Sequence, residues 1–327
     1  EQVLRDTAQP GAILTRVAAS HLRVGTFQYA AGRQDKALLE TLVDYTLKRH
    51  YPDRSGAEVP ALALLEAVMD RQIALITEWM RVGFIHGVMN TDNVALSGET
   101  IDYGPCAFMD RYHPETVFSS IDQRGRYAYG NQPVITQWNL ARFAETLIPL
   151  IDDDADRAVE TAEALIKSHT ERYAQRWLVM MRGKLGLFGE EDGDAALAAD
   201  LLDWMARHDA DHTNTFRDLI GGATPPGEPF QNDEFGDWHR RWQARLGRNG
   251  KAEEDAWALM GRHNPAVIPR NHQVEAALSA AVRDGDLAPV KALLAALDDP
   301  YRDRASDDPY RQPPTPDEQV LRTFCGT

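Results

Sequence analysis

The amino-acid sequence predicts an α+β protein that is mostly helical. After residue 34, apolar residues recur every three to four positions through most of the chain, which is the period of an amphipathic helix. Shorter segments typical of strands occur at 12–29 and 94–101. The chain has 327 residues, of which 43% are hydrophobic and 26% charged, so it can form a large core in one or two domains.

The predicted elements start with two strands. Residues 12–17 and 22–29 alternate enough for strands, and the pattern breaks around 18–21. Residues 103–133 are predicted to be a loop with aromatic anchors, and the acidic run 152–154 caps the helix that follows it. The predicted helices cover about 34–50, 60–82, a stretch beginning near 138, 155–183, 195–205, 233–246, 251–262, 271–283 and 287–297.

Residues 86–105 read HGVMNTDNVALSGETIDYGP and form the most informative run of the chain. Asp92, Asn93 and Asp102 in this run have the layout of a kinase-type metal site, because carboxylate and amide oxygens are ligands that Mg²⁺ prefers while it bridges nucleotide phosphates. Residues 94–96 and 100–101 are predicted to pair as a hairpin that brings Asn93 and Asp102 side by side. The alternative is an ordinary β-hairpin with polar ends.

The run departs from a protein kinase at one informative position. Kinases carry His-x-Asp-x-x-x-x-Asn, with the Asp near the substrate hydroxyl. Counting back from Asn93, His86 matches the motif histidine, but Val88 occupies the Asp position and cannot accept a proton. The nearest carboxylate is Asp92. The site is therefore predicted to bind a nucleotide and a metal, while ordinary phosphate transfer is in doubt.

HGVMNTDN followed by TIDYGP closely resembles the selenoprotein O (SelO/YdiU) family. Other stretches agree with the resemblance, namely PGAILTRVAASHLRVGTF, GRYAYGNQP, WNLARFAETL, NPAVIPRNH and the terminal TFCGT. The resemblance extends over almost the whole chain and implies a protein-kinase-like fold, with a large helical lobe and a remnant of the small lobe. It also implies a pseudokinase that transfers AMP, rather than phosphate, from ATP to Ser, Thr or Tyr hydroxyls of proteins.

The same resemblance implies roles for five residues. Asp92 is the implied proton acceptor, and Asn93 and Asp102 are the implied ligands of Mg²⁺ or Mn²⁺, with Asp102 also facing the nucleotide. Arg16 and Arg23 match the family's phosphate-contacting arginines. On a continuous strand these two arginines would point to opposite faces, so the chain must bend between them if both are to reach one nucleotide. The alternative is that they are surface salt-bridge partners.

The family carries a glycine-rich phosphate loop and a phosphate-binding lysine upstream of this region, and neither is visible in the chain. It is therefore expected to be a C-terminal portion, with a small-lobe remnant and hinge at 1–33, a kinase-like large lobe with a helical extension at 34–297 and an extended tail at 298–327. Two alternatives to an active enzyme stay open, which are a nucleotide-binding pseudokinase scaffold without turnover and an inactive fragment.

Charge and cysteine content limit the partners and the compartment. The formal net charge of −15 argues against nucleic acid as the main partner, no apolar run is long enough to cross a membrane, and two cysteines fit a reducing cytoplasm. Protein substrates with hydroxyl side chains are the expected partners. Cys106 and Cys325 are a candidate redox pair, and the alternative is a buried Cys106 with a free tail thiol.

Two other sets of residues have alternative interpretations. Arg126 is a candidate for a phosphate or peptide contact, or else it orders its loop by pairing with an acidic side chain. His208 and His212 have the i,i+4 spacing of a helical metal site but lack the usual zinc motif, so a solvated helix end is the preferred interpretation. His86 is predicted to be structural.

Overall fold

The computed structural model describes residues 2–4 and 8–324, and within them the side chains of residues 2 and 11–324. This part of the chain is mostly helical with a few short strands, which confirms the α+β, mostly α prediction. The helices are α1 Val24–Gly32, α2 Lys36–His50, α3 Pro60–Val82, α4 Gln132–Ile151, α5 Ala155–Lys184, α6 Asp194–Arg207, α7 His212–Asp218, α8 Asp233–Leu246, α9 Glu253–His263, α10 Asn271–Asp284 and α11 Ala288–Leu297.

The strands form two small antiparallel sheets. Strand β1 (Gln2–Leu4) pairs with β2 (Ala8–Pro10), and β3 (Phe84–Ile85) pairs with β4 (Ala107–Phe108), with Phe84 opposite Phe108. The second sheet brings the start of the 86–105 run next to the residues that follow it. The ends of this run are therefore close in space although they are about twenty residues apart in sequence.

Most helices predicted from apolar spacing are confirmed with small changes at their ends, but α4 begins at Gln132, within the predicted loop, and α7 was not predicted. In α2, the Asp35 side chain caps the first turn by accepting a hydrogen bond from the Leu38 N–H at 2.9 Å. Helix α3 begins at Pro60 and ends at Val82, and Gly83 caps it with a left-handed φ of 74°, which glycine adopts without steric cost. In α5, the Asp154 side chain accepts from the amides of Asp156 and Arg157, as the acidic run predicted.

The two strands predicted at 12–17 and 22–29 are wrong. Residues 11–20 have no regular hydrogen-bonded structure, and most of 22–29 lies in α1. Val24, Phe27 and Ala30 recur every three residues and are all buried, which is a helical face. Phe27 packs edge-on against Phe143 of α4 at 5.0 Å between ring centroids. This long-range packing selects the helix in a segment whose sequence pattern also fits a strand.

The predicted hairpin at 94–101 is also wrong, although its turn is present. The Gly98 N–H donates to the Ala95 carbonyl at 3.1 Å, so the chain turns where expected. Ala95 pairs instead with Arg23 in an antiparallel bridge. Two flanking hydrogen bonds complete it, from the Val24 N–H to the Val94 carbonyl at 3.1 Å and from the Leu96 N–H to the Leu22 carbonyl at 2.9 Å. The segment before α1 is thus joined to the 86–105 run.

The core consists of two hydrophobic clusters that meet along this run. One cluster contains Phe84, Ile85 and Met89 together with the ends of α3 and α5 and the buried faces of α6 and α8. The other contains Val94 and Leu96 together with α1, α2 and the middle of α4. Residues 90–93 lie between the two clusters, and the run is anchored by apolar burial on both sides of them.

The tail after α11 is described as far as Phe324. It contains a short 3-10 turn, Pro316–Glu318, and otherwise has no regular element. Its end returns to the middle of the molecule, where Thr323 forms a parallel bridge with Ser119. The Thr323 N–H donates to the Phe118 carbonyl at 2.7 Å, and the Ser120 N–H donates to the Thr323 carbonyl at 2.9 Å.

Candidate functional site

The candidate site is built on the run that crosses from one hydrophobic cluster to the other. Residues Thr91–Asn93 form a single 3-10 turn at this crossing, with buried residues on either side. Asp92 is exposed at the turn, and Asn93 is half-buried. The apolar neighbours therefore fix the turn, while the two polar side chains that the sequence singled out are left accessible.

His86 holds the two ends of the run together. Its ring is 1% exposed, and burial lowers its pKa, so the neutral imidazole is the form present at neutral pH. Nε2 lies 2.8 Å from the Ile101 carbonyl and therefore carries the proton that it donates. Nδ1 then accepts from the Val88 N–H at 3.4 Å. This arrangement agrees with the structural role expected for His86 and fixes the backbone just before Asp102.

Two buried amide side chains of α4 hold the start of the run. Gln132 donates through Nε2 to the Phe84 carbonyl at 3.0 Å and accepts from the His86 N–H at 3.1 Å. Asn139, seven residues further along the same helix, donates to the Met89 carbonyl at 2.9 Å. Both side chains are 0% exposed. Sequence reasoning missed them, although two amides seven apart on an otherwise apolar helix face were an available signal.

Three further side chains hold the second half of the run. Gln72 of α3 donates to the Ala95 carbonyl at 2.7 Å, and the Tyr51 hydroxyl donates to the Leu96 carbonyl. Trp79 donates through its indole N–H to the Thr100 hydroxyl at 2.8 Å. Gln72 and Trp79 lie on α3, and Tyr51 directly follows α2 and is buried. Because these donors are fixed in the core, the backbone between Ala95 and Thr100 has little freedom.

Asp92 lies against the first turn of α1. Its backbone carbonyl accepts a hydrogen bond from Arg23 Nη1 at 3.1 Å. A Cβ added at Gly25 would come within 2.2 Å of Asp92 Oδ1, so only glycine allows the carboxylate to lie there. The positive end of the α1 dipole also favours a negative group at this place. Arg23 and Gly25 are thus the residues that position Asp92.

Asn93 and Asp102 present their oxygens differently. Asn93 donates through Nδ2 to the Val88 carbonyl at 2.9 Å, which directs its Oδ1 away from that carbonyl and leaves it as an acceptor. Asp102 has a left-handed φ of 60°, an uncommon conformation for a residue other than glycine, and its Oδ1 contacts Arg16 Nη2 at 3.1 Å. Backbone strain of this kind is typical of functional sites.

Arg16 reaches Asp102 because the segment before α1 bends. The Ala19 N–H donates to both carboxylate oxygens of Glu99, at 3.2 and 3.0 Å. Arg49 of α2 donates through Nε to the Ala19 carbonyl at 2.8 Å. Arg16 and Arg23 therefore lie beside Asp102 and Asp92, respectively. The Arg16–Asp102 contact also fits the alternative of a surface salt bridge, since the two side chains are 49% and 34% exposed.

The oxygen donors of Asn93 and Asp102 fit a magnesium ion that takes its remaining ligands from phosphate and water. Among the residues described, no group of three or more His, Cys, Asp and Glu side chains is arranged to hold a metal. Asn93 Oδ1 and the Asp102 carboxylate provide two hard oxygen donors. Mg²⁺ is commonly held by one or two such side chains, with phosphate oxygens and water completing the octahedron.

The candidate redox pair is only half described. Cys106 is partly buried, burial raises the pKa of its thiol to about 11, and its Sγ donates weakly to the Tyr103 carbonyl at 3.7 Å. Cys325 lies outside the described residues. The Cys106–Cys325 pairing therefore stays a prediction.

The two other sets of sequence candidates differ from expectation. His208 directly follows α6 and contacts Glu234 at 3.2 Å, whereas His212 begins α7, so the two do not share a helix. His212 is 2% exposed, and a solvated helix end is therefore wrong for it. The Arg126 guanidinium lies over the Trp138 ring at 4.6 Å from its centroid, which is a cation–π contact, and it forms no ion pair within the described part of the chain. The Arg126 backbone N–H donates to Asp122 Oδ1 at 2.9 Å.

Comparison with known proteins identifies the family of the chain. A family model described as protein adenylyltransferase SelO matches residues 1–298. A protein nucleotidyltransferase YdiU of Alcanivorax borkumensis is 65% identical over 327 residues, which are 100% of this chain and 68% of that protein. A protein with the same description from Nitrosococcus oceani is 56% identical over 100% of this chain and 66% of its own length. The chain thus spans about two thirds of the length of these relatives.

The match covers the site as well as the fold, because the family model includes α1, the whole run from Phe84 to Asp102 and α4. Two independent kinds of similarity, a family model over most of the chain and relatives aligned with all of it, lead to one assignment. This chain belongs to the protein adenylyltransferase SelO family, a family of nucleotidyltransferase enzymes.

Proposed function

We propose that this chain forms the catalytic and metal-binding part of a kinase-like adenylyltransferase that transfers AMP from ATP to Ser, Thr or Tyr hydroxyls of proteins. The observation that carries the proposal is the contact of Arg16 with the Asp102 carboxylate and of Arg23 with the Asp92 backbone, next to an Asn93 whose amide oxygen is available. Two guanidinium groups and a cation are suited to bind a triphosphate.

The order of elements supports a kinase-like large lobe. A long helix, α3, leads into the run with Asp92 and Asn93, Asp102 begins the loop that follows, and the buried helix α4 comes next. On this proposal, 1–33 is the small-lobe remnant and hinge, 34–297 the large lobe with its extension, and 298–327 the tail. Helix α1 packs in the same cluster as α2 and α4, so the hinge end of the remnant shares the large-lobe core.

The proposed reaction uses each residue for one task. Arg16 and Arg23 bind phosphate oxygens, and Asp92, which is exposed, accepts the proton of the protein hydroxyl. The hydroxyl oxygen forms a bond to the α-phosphorus, the bond between that phosphorus and the α,β-bridging oxygen breaks, and pyrophosphate leaves. Mg²⁺ or Mn²⁺ held by Asn93 and Asp102 supplies neutralisation of the phosphate charge. Val88, at the usual kinase base position, provides no competing base.

Labelled ATP tests the proposal. With label on the α-phosphate, protein should become labelled, whereas label on the γ-phosphate should leave with pyrophosphate. Asp102→Ala should abolish transfer, and Asp92→Ala should keep nucleotide binding but slow transfer by about a hundredfold or more. The matched control, Asp192→Ala, removes an exposed carboxylate elsewhere and should behave like the original chain. Normal transfer by Asp92→Ala would contradict the base assignment.

A second candidate function is a pseudokinase scaffold that binds nucleotide without turnover, and Val88 favours it. It predicts a rise in melting temperature with ATP and Mg²⁺ but no label on protein from either phosphate. If AMP transfer occurs only when the chain is extended to the length of its relatives, this chain holds only part of the site. With AMP transfer, with binding but no turnover and with an incomplete site alike, the proposed partner is a protein or a nucleotide. No helix among the described residues is both long and apolar enough to span a bilayer.

A further inference from the structure

A cleft of about 610 Å³ lies between the loop after β4 and the tail, and it takes no part in the proposed chemistry. Its walls are formed by the loop after β4, the start of α7, the turn before α8 and the tail. We name it the tail cleft, and its lining includes Phe118, Asn214, Glu228, Phe230, Val320 and Leu321. Its position, its apolar surface and its charge point to the same kind of ligand.

The tail cleft is connected to Asp102 through Thr323. The Thr323 N–H donates to the carbonyl of Phe118, which lines the cleft, and the Thr323 hydroxyl donates to the Pro105 carbonyl. Pro105 follows Asp102 by three residues. The wall of the cleft is therefore joined to the segment that directly follows Asp102.

The rim of the cleft carries large apolar side chains that face solvent. Leu321 is 73% exposed, and it lies two residues before the bridge between Thr323 and Ser119. Beyond that parallel bridge, on the same side of it, Ile121 is 60% exposed and Phe324 is 64% exposed. Exposed apolar residues that are clustered in this way, next to a cleft with the buried Phe118, are typical of protein-binding surfaces.

The cleft is acidic after its arginines are taken into account. Three arginines are present, namely Arg111 in the wall and the buried Arg270 and Arg311. They are outnumbered by five carboxylates in the walls, which are those of Asp110, Asp209, Asp211, Asp218 and Glu228. Arg270 pairs with two of the five, and Arg311 pairs with a third. Glu228 is exposed at the rim, and Asp209 is 72% exposed with Arg111 at 3.8 Å. A basic group is therefore the favoured charge in the cleft.

Helix α7 contributes polar atoms that lack partners. Asn214 Oδ1 and the hydroxyl of Thr215, which is 1% exposed, are buried in the wall and have no hydrogen-bond partner among the described residues. A buried acceptor without a donor is destabilising, and a donor brought by a ligand relieves that penalty. An extended peptide carries such donors as backbone N–H groups.

We propose that the tail cleft docks the protein substrate by a short segment that carries lysine or arginine beside a large apolar side chain. The inference rests on the proposed function only in naming the bound protein as the substrate. The apolar side chain packs against Phe230, Val320 and Leu321, the basic group lies near Glu228, and the backbone of the segment donates to Asn214.

Direct binding of peptides tests the docking separately from any transfer of AMP. Fluorescein-labelled serine peptides are titrated with the full chain and followed by fluorescence anisotropy, without nucleotide. The basic peptide carries arginines beside a leucine, and its matched peptides carry either glutamates in place of the arginines or glycine in place of the leucine. The basic peptide should bind about tenfold or more tightly than either matched peptide. Equal binding of all three would overturn the proposal.

Two variants place the binding in this cleft. Leu321→Glu and Glu228→Lys should each weaken binding of the basic peptide by about tenfold, and Glu228→Lys should improve binding of the glutamate peptide. The matched controls, Val282→Glu and Glu160→Lys, change an equally exposed apolar residue and an exposed acid elsewhere, and should bind like the original chain. Unchanged binding by Leu321→Glu would overturn the proposal.

The oligomeric state separates the substrate from a second copy of the chain as the occupant. Size-exclusion chromatography with light scattering should give the same mass for the original chain and for Leu321→Glu. A dimer that dissociates in Leu321→Glu would overturn the proposal. Loss of AMP transfer with peptide binding intact would contradict the proposed function and leave the docking in place.

Discussion

Two segments form the candidate site, and they are held in opposite ways. The run from Phe84 to Asp102 is fastened by buried side chains, among which Gln132 and Asn139 are 0% exposed. The segment 11–20, which carries Arg16, is held by contacts at the surface, and Ile13 in it is 99% exposed. Buried hydrogen bonds are costly to break, whereas exposed ion pairs contribute little. The Asp92 side of the site is therefore rigid, and the Arg16 side can rearrange at a small cost in free energy.

The largest expected effect comes from Gln132→Met. This change leaves the Phe84 carbonyl and the His86 N–H without partners in the core, so the free energy of unfolding should fall by about 2–4 kcal/mol. Urea unfolding followed by circular dichroism measures the loss. Gln175→Met, on an exposed face of α5, is the matched control and should change stability by no more than about 0.5 kcal/mol. A loss below about 1 kcal/mol for Gln132→Met would mean that the run is not held from α4.

The next effect is on activity and comes from Gly25→Ala. A helical alanine usually stabilises by up to about 1 kcal/mol relative to glycine, but here its Cβ would lie 2.2 Å from Asp92 Oδ1. The carboxylate has to move, so the rate of AMP transfer should fall by about tenfold or more. Gly32→Ala in the same helix is the matched control, because nothing lies within 4 Å of its added Cβ. Equal rates of AMP transfer for the two variants would mean that α1 does not position Asp92.

The free energy of unfolding should also depend on pH through the buried His86. Burial lowers the pKa of His86 in the folded protein below 6.5, so the unfolded chain binds a proton more readily between these two pKa values. Its stabilising contribution is thus complete above pH about 6.5 and is lost as the pH falls toward the folded pKa. Urea titrations at several pH values should show a shallower loss for His86→Gln than for the original chain. The comparison variant is His21→Gln in the exposed segment.

The smallest effect on stability is expected for Arg16→Ala. Its contact with Asp102 at 3.1 Å is between half-exposed groups, so the free energy of unfolding should change by no more than about 1 kcal/mol. Nucleotide affinity should nevertheless fall, by about tenfold, if Arg16 binds phosphate. Arg157→Ala, which removes an exposed arginine paired with Asp152, is the matched control for both measurements. Unchanged ATP affinity would reduce Arg16 to a surface salt-bridge partner.

The sequence predicted the long helices well and the short segments poorly. Helices such as α3 and α5 are long and strongly periodic, so their apolar spacing predicts them within a few residues. The short segments at 22–29 and 94–101 were predicted with the wrong structure, because a handful of residues fits a strand and a helix about equally. Their conformation is decided by partners distant in sequence, namely Phe143 for Phe27 and Arg23 for Ala95.

The residue types of the site were predictable, but the residues that hold them were not. Asp92, Asn93 and Asp102 stand out because their chemistry and spacing form a motif. Gln132 and Asn139 belong to no motif, and only their burial against the carbonyls of Phe84 and Met89 reveals what they do.

The sequence by itself determined the helical class, the family and the candidate ligands, because periodicity and motifs are local properties of a chain. The tertiary structure decided the helix at Val24–Gly32, the bend that takes Arg16 to Asp102 and the contact of Gly25 with Asp92. It also decided the acidic tail cleft next to Pro105. Each of these depends on packing between residues that are far apart along the chain, and the free energy of such packing cannot be assigned to any one segment of the sequence.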